Sequence, residues 1–289
     1  MIRLTVAAAV ALALAGCGGS RPAGPSRPPF SAPVATGGVL VKPHGPVGAL
    51  LRHLPPGVDA ITAVDLKVAR AELGVRADAD PYLPGPREVP AAAATLASIA
   101  GLIVPPPDAG ALLGGVDFGS VRAIVEFAGP GTRGVLLRTA VRPAVRGGRL
   151  RLIRGGIVLG SSRAVAAAAA GRRAIPRDDR ALVALLGSYP SAASFAYRPS
   201  GSRCVISVVA METLAPPAAS VTVTVRGVPS RSRLALPSVA RAGLVLGMPV
   251  ISGASINVPV LPRRRGAAGR VALRAIIGAL ERGPVYRCG

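Results

Sequence analysis

Between residues 121 and 159 short apolar runs alternate with glycine-centred breaks, and no other feature constrains the fold as strongly. The runs 121–127, 134–141, 150–153 and 157–159 have strand length and are rich in Val, Ile and Leu. Gly129-Pro130-Gly131, Gly147-Gly148 and Gly155-Gly156 separate them. Glycine supplies the positive φ of tight turns, so successive strands double back and the sheet is predicted antiparallel. Further strands are expected at 58–66, 193–197, 205–210, 221–225 and 285–288.

The remaining apolar residues recur at helical spacing. Val47, Leu50, Leu51 and Leu54 fall at i, i+3, i+4, i+7 ahead of Pro55-Pro56, and Leu273, Ile276, Ile277 and Leu280 repeat the pattern. Pro90 suits the first turn of a helix carrying Leu96, Ile99, Leu102 and Ile103. A helix over 67–73 follows the strand at 58–66. Ser161-Ser162 caps an Ala-rich helix reaching Ala170, and Asp178-Asp179 caps another bearing Leu182, Leu185, Leu186 and Tyr189. Residues 242–261 carry no charge and are long enough to cross a membrane, but Pro249, Pro259, Asn257 and several glycines predict buried strands instead. The expected class is α+β, a mostly antiparallel sheet packed by amphipathic helices. It is divided into two half-domains, 46–200 and 201–289, which could be related.

Composition narrows the partners. Of the basic residues, 33 are Arg and two are Lys, and Arg, Ala, Gly and Pro all have GC-rich codons. Codon usage explains Arg in place of Lys but not the distribution of acids. Residues 17–126 hold nine basic and nine acidic residues. Residues 127–289 hold 25 Arg against four acids, a net of +21. Such asymmetry implies an anionic neighbour. Trp is absent and only eight residues are Phe or Tyr, so the stacking platform of a single-strand nucleic-acid binder is missing.

Cellular address is legible at the start of the chain. Met1-Ile2-Arg3 is a short cationic region, residues 4–14 are uncharged, and Leu14-Ala15-Gly16-Cys17 follows. That order resembles the lipobox of bacterial lipoproteins, which implies cleavage after residue 16 and acylation of Cys17, a palmitate-type anchor on the outer face of the cytoplasmic membrane. Residues 17–45, rich in Gly, Pro and Ser, read as a flexible tether. Two further cysteines, Cys204 and Cys288, read as one disulfide in an oxidising compartment, with both at one end of a sheet. Leu54-Pro55-Pro56, Val64-Asp65-Leu66 and Leu159-Gly160-Ser161 resemble motifs of exported proteins of unknown function from high-GC Gram-positive bacteria. The resemblance spans about residues 50–198 and implies no activity.

Candidate sites are few. Gly160-Ser161-Ser162-Arg163-Ala164 lies between strand and helix as a hydrolase nucleophile would, but Ala stands where that motif wants Gly. Both histidines, His44 and His53, precede the serines, with His53 expected on the polar side of a short helix. Asp78 and Asp80 could face a hard cation, although Asp80-Pro81 is read as a turn. Asp59 and Asp65 are expected in turn and capping roles. No phosphate loop, dinucleotide fingerprint or zinc spacing is present, and neither cofactor nor metal is expected. Arg263-Arg264-Arg265, ahead of the last helix, is the densest basic cluster and the predicted anion-binding site. The expected function is therefore a lipid-anchored envelope module that binds or scaffolds, contacting anionic phospholipid or wall polymer and not nucleic acid. The alternatives are a hydrophobic-ligand carrier and a serine hydrolase.

Overall fold

The runs flanking Gly129-Pro130-Gly131 and Gly155-Gly156 do form antiparallel hairpins, but those flanking Gly147-Gly148 do not pair, because the run at 157–159 comes between them and takes the edge of the run at 134–141. The computed structural model describes residues 45–83, 85–86, 88–104, 116–141, 150–154, 156–160, 162–170, 191–197, 205–214, 220–227, 232–234, 244–248, 250–252, 255–262, 272–281 and 286–288. Strand β1 is Ala60–Asp65, β2 is Val121–Gly129 and β3 is Thr132–Thr139. The β2–β3 hairpin closes at Gly129↔Thr132, and Gly131 in its turn has φ 68°, a conformation that is cheap only for glycine. Strands β4 (Leu150–Ile153) and β5 (Gly156–Gly160) form the next hairpin, with β5 lying between β3 and β4.

The same strand order recurs in the second part of the chain. Strands β6 (Ala193–Tyr197), β7 (Val205–Thr213) and β8 (Ser220–Gly227) pair in sequence. Strand β9 is Ser232–Leu234, β10 is Leu244–Leu246, β11 is Val250–Ser252 and β12 is Ser255–Pro262. Strand β12 lies between β8 and the pair β10 and β11. The two runs meet where β1 pairs β6, giving one open eleven-stranded antiparallel sheet, β10-β12-β8-β7-β6-β1-β2-β3-β5-β4 with β11 also on β12. The sheet continues across residue 200, because β6 and β7 are hydrogen-bonded neighbours.

Helices cover both faces. On one face lie α2 (Leu66–Leu73), α3 (Pro90–Ala100) and α5 (Ala272–Glu281), over Val64, Ile124, Leu137, Phe195, Val208 and Val260. On the other lie α1 (Gly45–Leu51) and α4 (Ser162–Ala170), over Ile61, Val125, Phe127, Leu136 and Val158. The period-2 alternation of β1 and β2 explains both cores: Ile61 and Ala63 face α1, while Val64 faces α2. Each fully buried Leu, Ile or Phe contributes about 1.5–3 kcal/mol. Alanines at 164 and 168 let α4 lie close to the sheet.

Three expectations need revision or fall elsewhere. Strands do occupy the uncharged segment, and Val258 and Val260 of β12 are buried, but β10 and β11 form the sheet's edge rather than its interior, with Val245 and Val250 exposed. No helix among the described residues is long and apolar enough to cross a membrane. Strand β13 (Tyr286–Cys288) pairs β9 in a separate two-stranded sheet, so Cys288 does not end a strand of the sheet that holds β7. The helix expected near Asp178-Asp179 lies outside the described residues.

Candidate functional site

The charged side chains drawn into the interior are held by the protein's own backbone. Arg70, in α2, is 1% exposed. Its Nε donates to Ala79 O at 3.0 Å, Nη1 to Val121 O at 2.7 Å and Nη2 to Phe118 O at 2.9 Å. Three carbonyls, one from the loop after α2 and two from the entry to β2, thus satisfy the guanidinium fork. Burial lowers its pKa, Arg122 lowers it further, and Asp80, Asp78 and Asp117 oppose both. Arg70 pins the 75–88 loop and the entry to β2 onto α2. Periodicity contained the clue, since Leu66, Ala69, Arg70 and Leu73 fall at i, i+3, i+4, i+7.

Carboxyl groups do the reciprocal work. Asp65 Oδ1 accepts from Lys67 N at 3.0 Å and Val68 N at 3.1 Å, capping α2 as expected. Glu72 Oε2 accepts from Leu214 N at 2.6 Å, tying α2 to the end of β7. Glu212 of β7 is fully buried, and its Oε2 accepts from Leu273 N at 3.1 Å, at the start of α5. Glu88 differs. Its side chain is 3% exposed, neither oxygen is hydrogen-bonded, and Arg76 Nε stands 3.8 Å from Oε1. The sequence offered one sign of Glu212, as the only charged residue in the run 205–214.

Of the candidate hydrolase residues, the structure describes His53 and the backbone of Ser162. His53 lies in the turn after α1, half-buried, and its Nδ1 is 3.1 Å from Ala168 O. A carbonyl only accepts, so Nδ1 carries the proton. Ser162 opens α4 six residues before Ala168, about 9 Å along the helix axis. Ser161 and His44 lie outside the described residues. Asp80 serves a turn, its Oδ1 accepting from Tyr82 N at 2.7 Å and Leu83 N at 3.1 Å. Asp78 pairs with Arg76 at 3.6 Å, and Asp59 N donates to Ala128 O. Among the described residues no three His, Cys, Asp or Glu side chains gather as a metal site.

Cys17, Cys204, Arg263, Arg264 and Arg265 lie outside the described residues, and Cys288 is described in its backbone alone. The last helix begins at Ala272, seven residues beyond Arg265, and Glu212 already serves its Leu273 N–H.

The two edges of the sheet have opposite chemistry. Strand β4 exposes Arg151, with Arg154 exposed just beyond it, charges that discourage pairing with another strand. Arg133 is exposed on β3, two strands in from that edge, bonded to Glu126 at 2.7 Å. At the far edge β10 and β11 carry no charge. Gly247, which follows β10, donates its N–H to Pro259 O at 2.7 Å. A Cβ there would lie 2.7 Å from Pro259 Cγ, so only glycine permits the approach.

No protein-family model matches the chain, and no curated protein matches it. A solved structure of TP0453, crystal form I, is similar over 80% of this chain and 97% of that one, at 9% identity and a TM-score of 0.37. Likeness at that level assigns neither fold nor function.

Proposed function

We propose that this chain is a lipid-anchored protein of the outer face of the cytoplasmic membrane. In this reading it binds or scaffolds, and its arginine-rich part contacts anionic phospholipid or wall polymer. One observation carries the proposal: residues 127–289 have a net charge of +21 while residues 17–126 have none. Codon usage leaves the shortage of acids unexplained, whereas an anionic surface makes use of it. Exposed Arg133, Arg151 and Arg154 support the reading, as does Leu14-Ala15-Gly16-Cys17. A single acyl chain anchors weakly, and a polybasic surface supplies the second attachment.

The test separates lipid from charge. Cys17→Ser should release the protein from membranes in a fractionation experiment; unchanged fractionation would remove the anchor from the proposal. The released protein should bind phosphatidylglycerol vesicles at low salt and lose them at high salt, since the Debye length falls from about 30 Å at 0.01 M to about 3 Å at 1 M. Changing Arg263, Arg264 and Arg265 together to Ser should weaken that binding. Indifference to anionic vesicles at low salt overturns the charge argument. Equal binding by the triple variant moves the contact to other arginines.

A further inference from the structure

Seven large apolar side chains are exposed among the described residues, and three of them lie within six positions of one another: Val245 at 44%, Met248 at 85% and Val250 at 60%. Scattered exposed hydrophobics need no explanation, but a cluster does. These three follow the outer edge of the sheet, along β10, the connection after it, and β11. The chain from 242 to 261 has no Asp, Glu, Lys or Arg, in a protein otherwise dense in arginine.

An open strand edge ordinarily invites another strand. This edge is poorly made for one. Leu246 pairs Val260 and Val250 pairs Asn257, so three edge residues stand against two of β12, and the ladder is interrupted between them. Pro249, within that interruption, has no N–H to offer. β10 and β11 are three residues each. A partner strand would find a broken row of donors and acceptors, whereas at the headgroup boundary water and headgroups satisfy the unpaired backbone groups while the apolar side chains reach the acyl chains.

We propose that the β10–β11 edge is a membrane-contact element, with Val245, Met248 and Val250 entering the boundary between headgroups and acyl chains. The proposal rests on the lipid-anchored reading above. About 28 residues separate Cys17 from Gly45, a reach of up to about 90 Å, ample for this edge to meet the membrane that holds the anchor. Since Leu244 pairs Pro262, the chain enters β10 and leaves β12 at one end of their ladder. By sequence, Arg241 precedes that point and Arg263-Arg264-Arg265 follow it. An apolar edge bounded by cationic sequence has the pattern of an interfacial segment, with apolar side chains below the headgroups and guanidiniums among them.

The absence of tryptophan makes the test clean, because Met248→Trp becomes the only indole in the full chain. Met248 is exposed, so folding tolerates the change. Leu83→Trp, at another exposed apolar position, is the control. The lipidated variants are reconstituted in vesicles of equal parts phosphatidylglycerol and phosphatidylcholine, the latter brominated along its acyl chains. Emission from Met248→Trp should shift to shorter wavelength and lose about half or more of its intensity to bromine, while Leu83→Trp keeps its own. In protein that floats with the vesicles, an unquenched Met248→Trp overturns the edge proposal and leaves the anchor standing. A blue shift that grows with protein concentration without quenching identifies a second copy as the occupant and also overturns it. If the chain does not float, the anchor reading fails and the edge proposal that rests on it falls with it.

Discussion

At the residue scale, Asp65 carries two opposing demands. It caps α2 through two backbone N–H groups, yet it is 9% exposed, and burial pushes its carboxyl above the ordinary value against the pull of Val68 N–H, Lys67 N–H and the charges of Lys67 and Arg70. A raised folded pKa means that charging the group costs the folded state more than the unfolded one. The stability linked to its proton is therefore full below the unfolded value of 3.8 and is lost as pH rises through the raised folded value. Asn caps equally well without a charge to desolvate. Asp65→Asn should match or exceed the parent in urea unfolding at neutral pH, with the difference shrinking in acid, whereas Asp65→Ala should cost about 1 kcal/mol. A large loss for Asn would mean that the charge itself, and not the acceptor, holds the helix. Arg70 illustrates the same economy, because a buried guanidinium is tolerated where three carbonyls meet its fork.

At the scale of elements, α5 shows how a helix is placed by a group outside itself. Leu273 and Ile276 bury its apolar side against β7 and its neighbours, while Glu212, from beneath, takes the Leu273 N–H. A carboxyl at a helix N-terminus meets both an orphan donor and the positive end of the dipole. Arg274 Nη2 then reaches Gly101 O at 2.7 Å, joining α5 to the end of α3. Glu212→Ala should cost about 2–3 kcal/mol by stranding a buried donor, and hydrogen exchange at the Leu273 amide should quicken more than at mid-helix amides. Glu212→Gln keeps an acceptor and should lose less. Equal exchange at Leu273 in the parent and in Glu212→Ala would show that α5 is placed by packing alone.

For the whole molecule, the repeated strand order is the main architectural result. The runs β1-β2-β3-β5-β4 and β6-β7-β8-β12-β10 have the same topology and join antiparallel at β1 and β6, yet the helices that follow them, α4 and α5, lie on opposite faces. Cys204, one residue before β7, and Cys288, in β13, stand far apart in sequence, and a bond between them would fasten the small β9–β13 sheet to the large one. In the chain-entropy picture a loop of about 85 residues gives on the order of 4 kcal/mol. Peptide mapping of the protein purified without reductant should find the two cysteines joined, and thermal unfolding with reductant should occur at lower temperature. Two free thiols would remove the bond.

Much of the fold was legible locally, because strand and helix periods are properties of neighbouring residues. The hairpins at 129–132 and 153–156, the Asp65 cap, the apolar faces of α1 and α5 and the antiparallel α+β class were all readable in this way. Charge asymmetry and the Leu14–Cys17 motif were equally matters of sequence alone. What sequence could not decide was which strands would end the sheet. Residues 244–252 have the composition of interior strands, and only long-range pairing puts β12 inside and β10 and β11 at the edge with Met248 in the open. The same holds for Arg70, Glu72 and Glu212, whose partners lie 9 to 142 residues away. Local periodicity determined the elements. Strand order and the burial of charge were decided in tertiary structure, because a polar group can enter the interior only where distant segments converge to bond it.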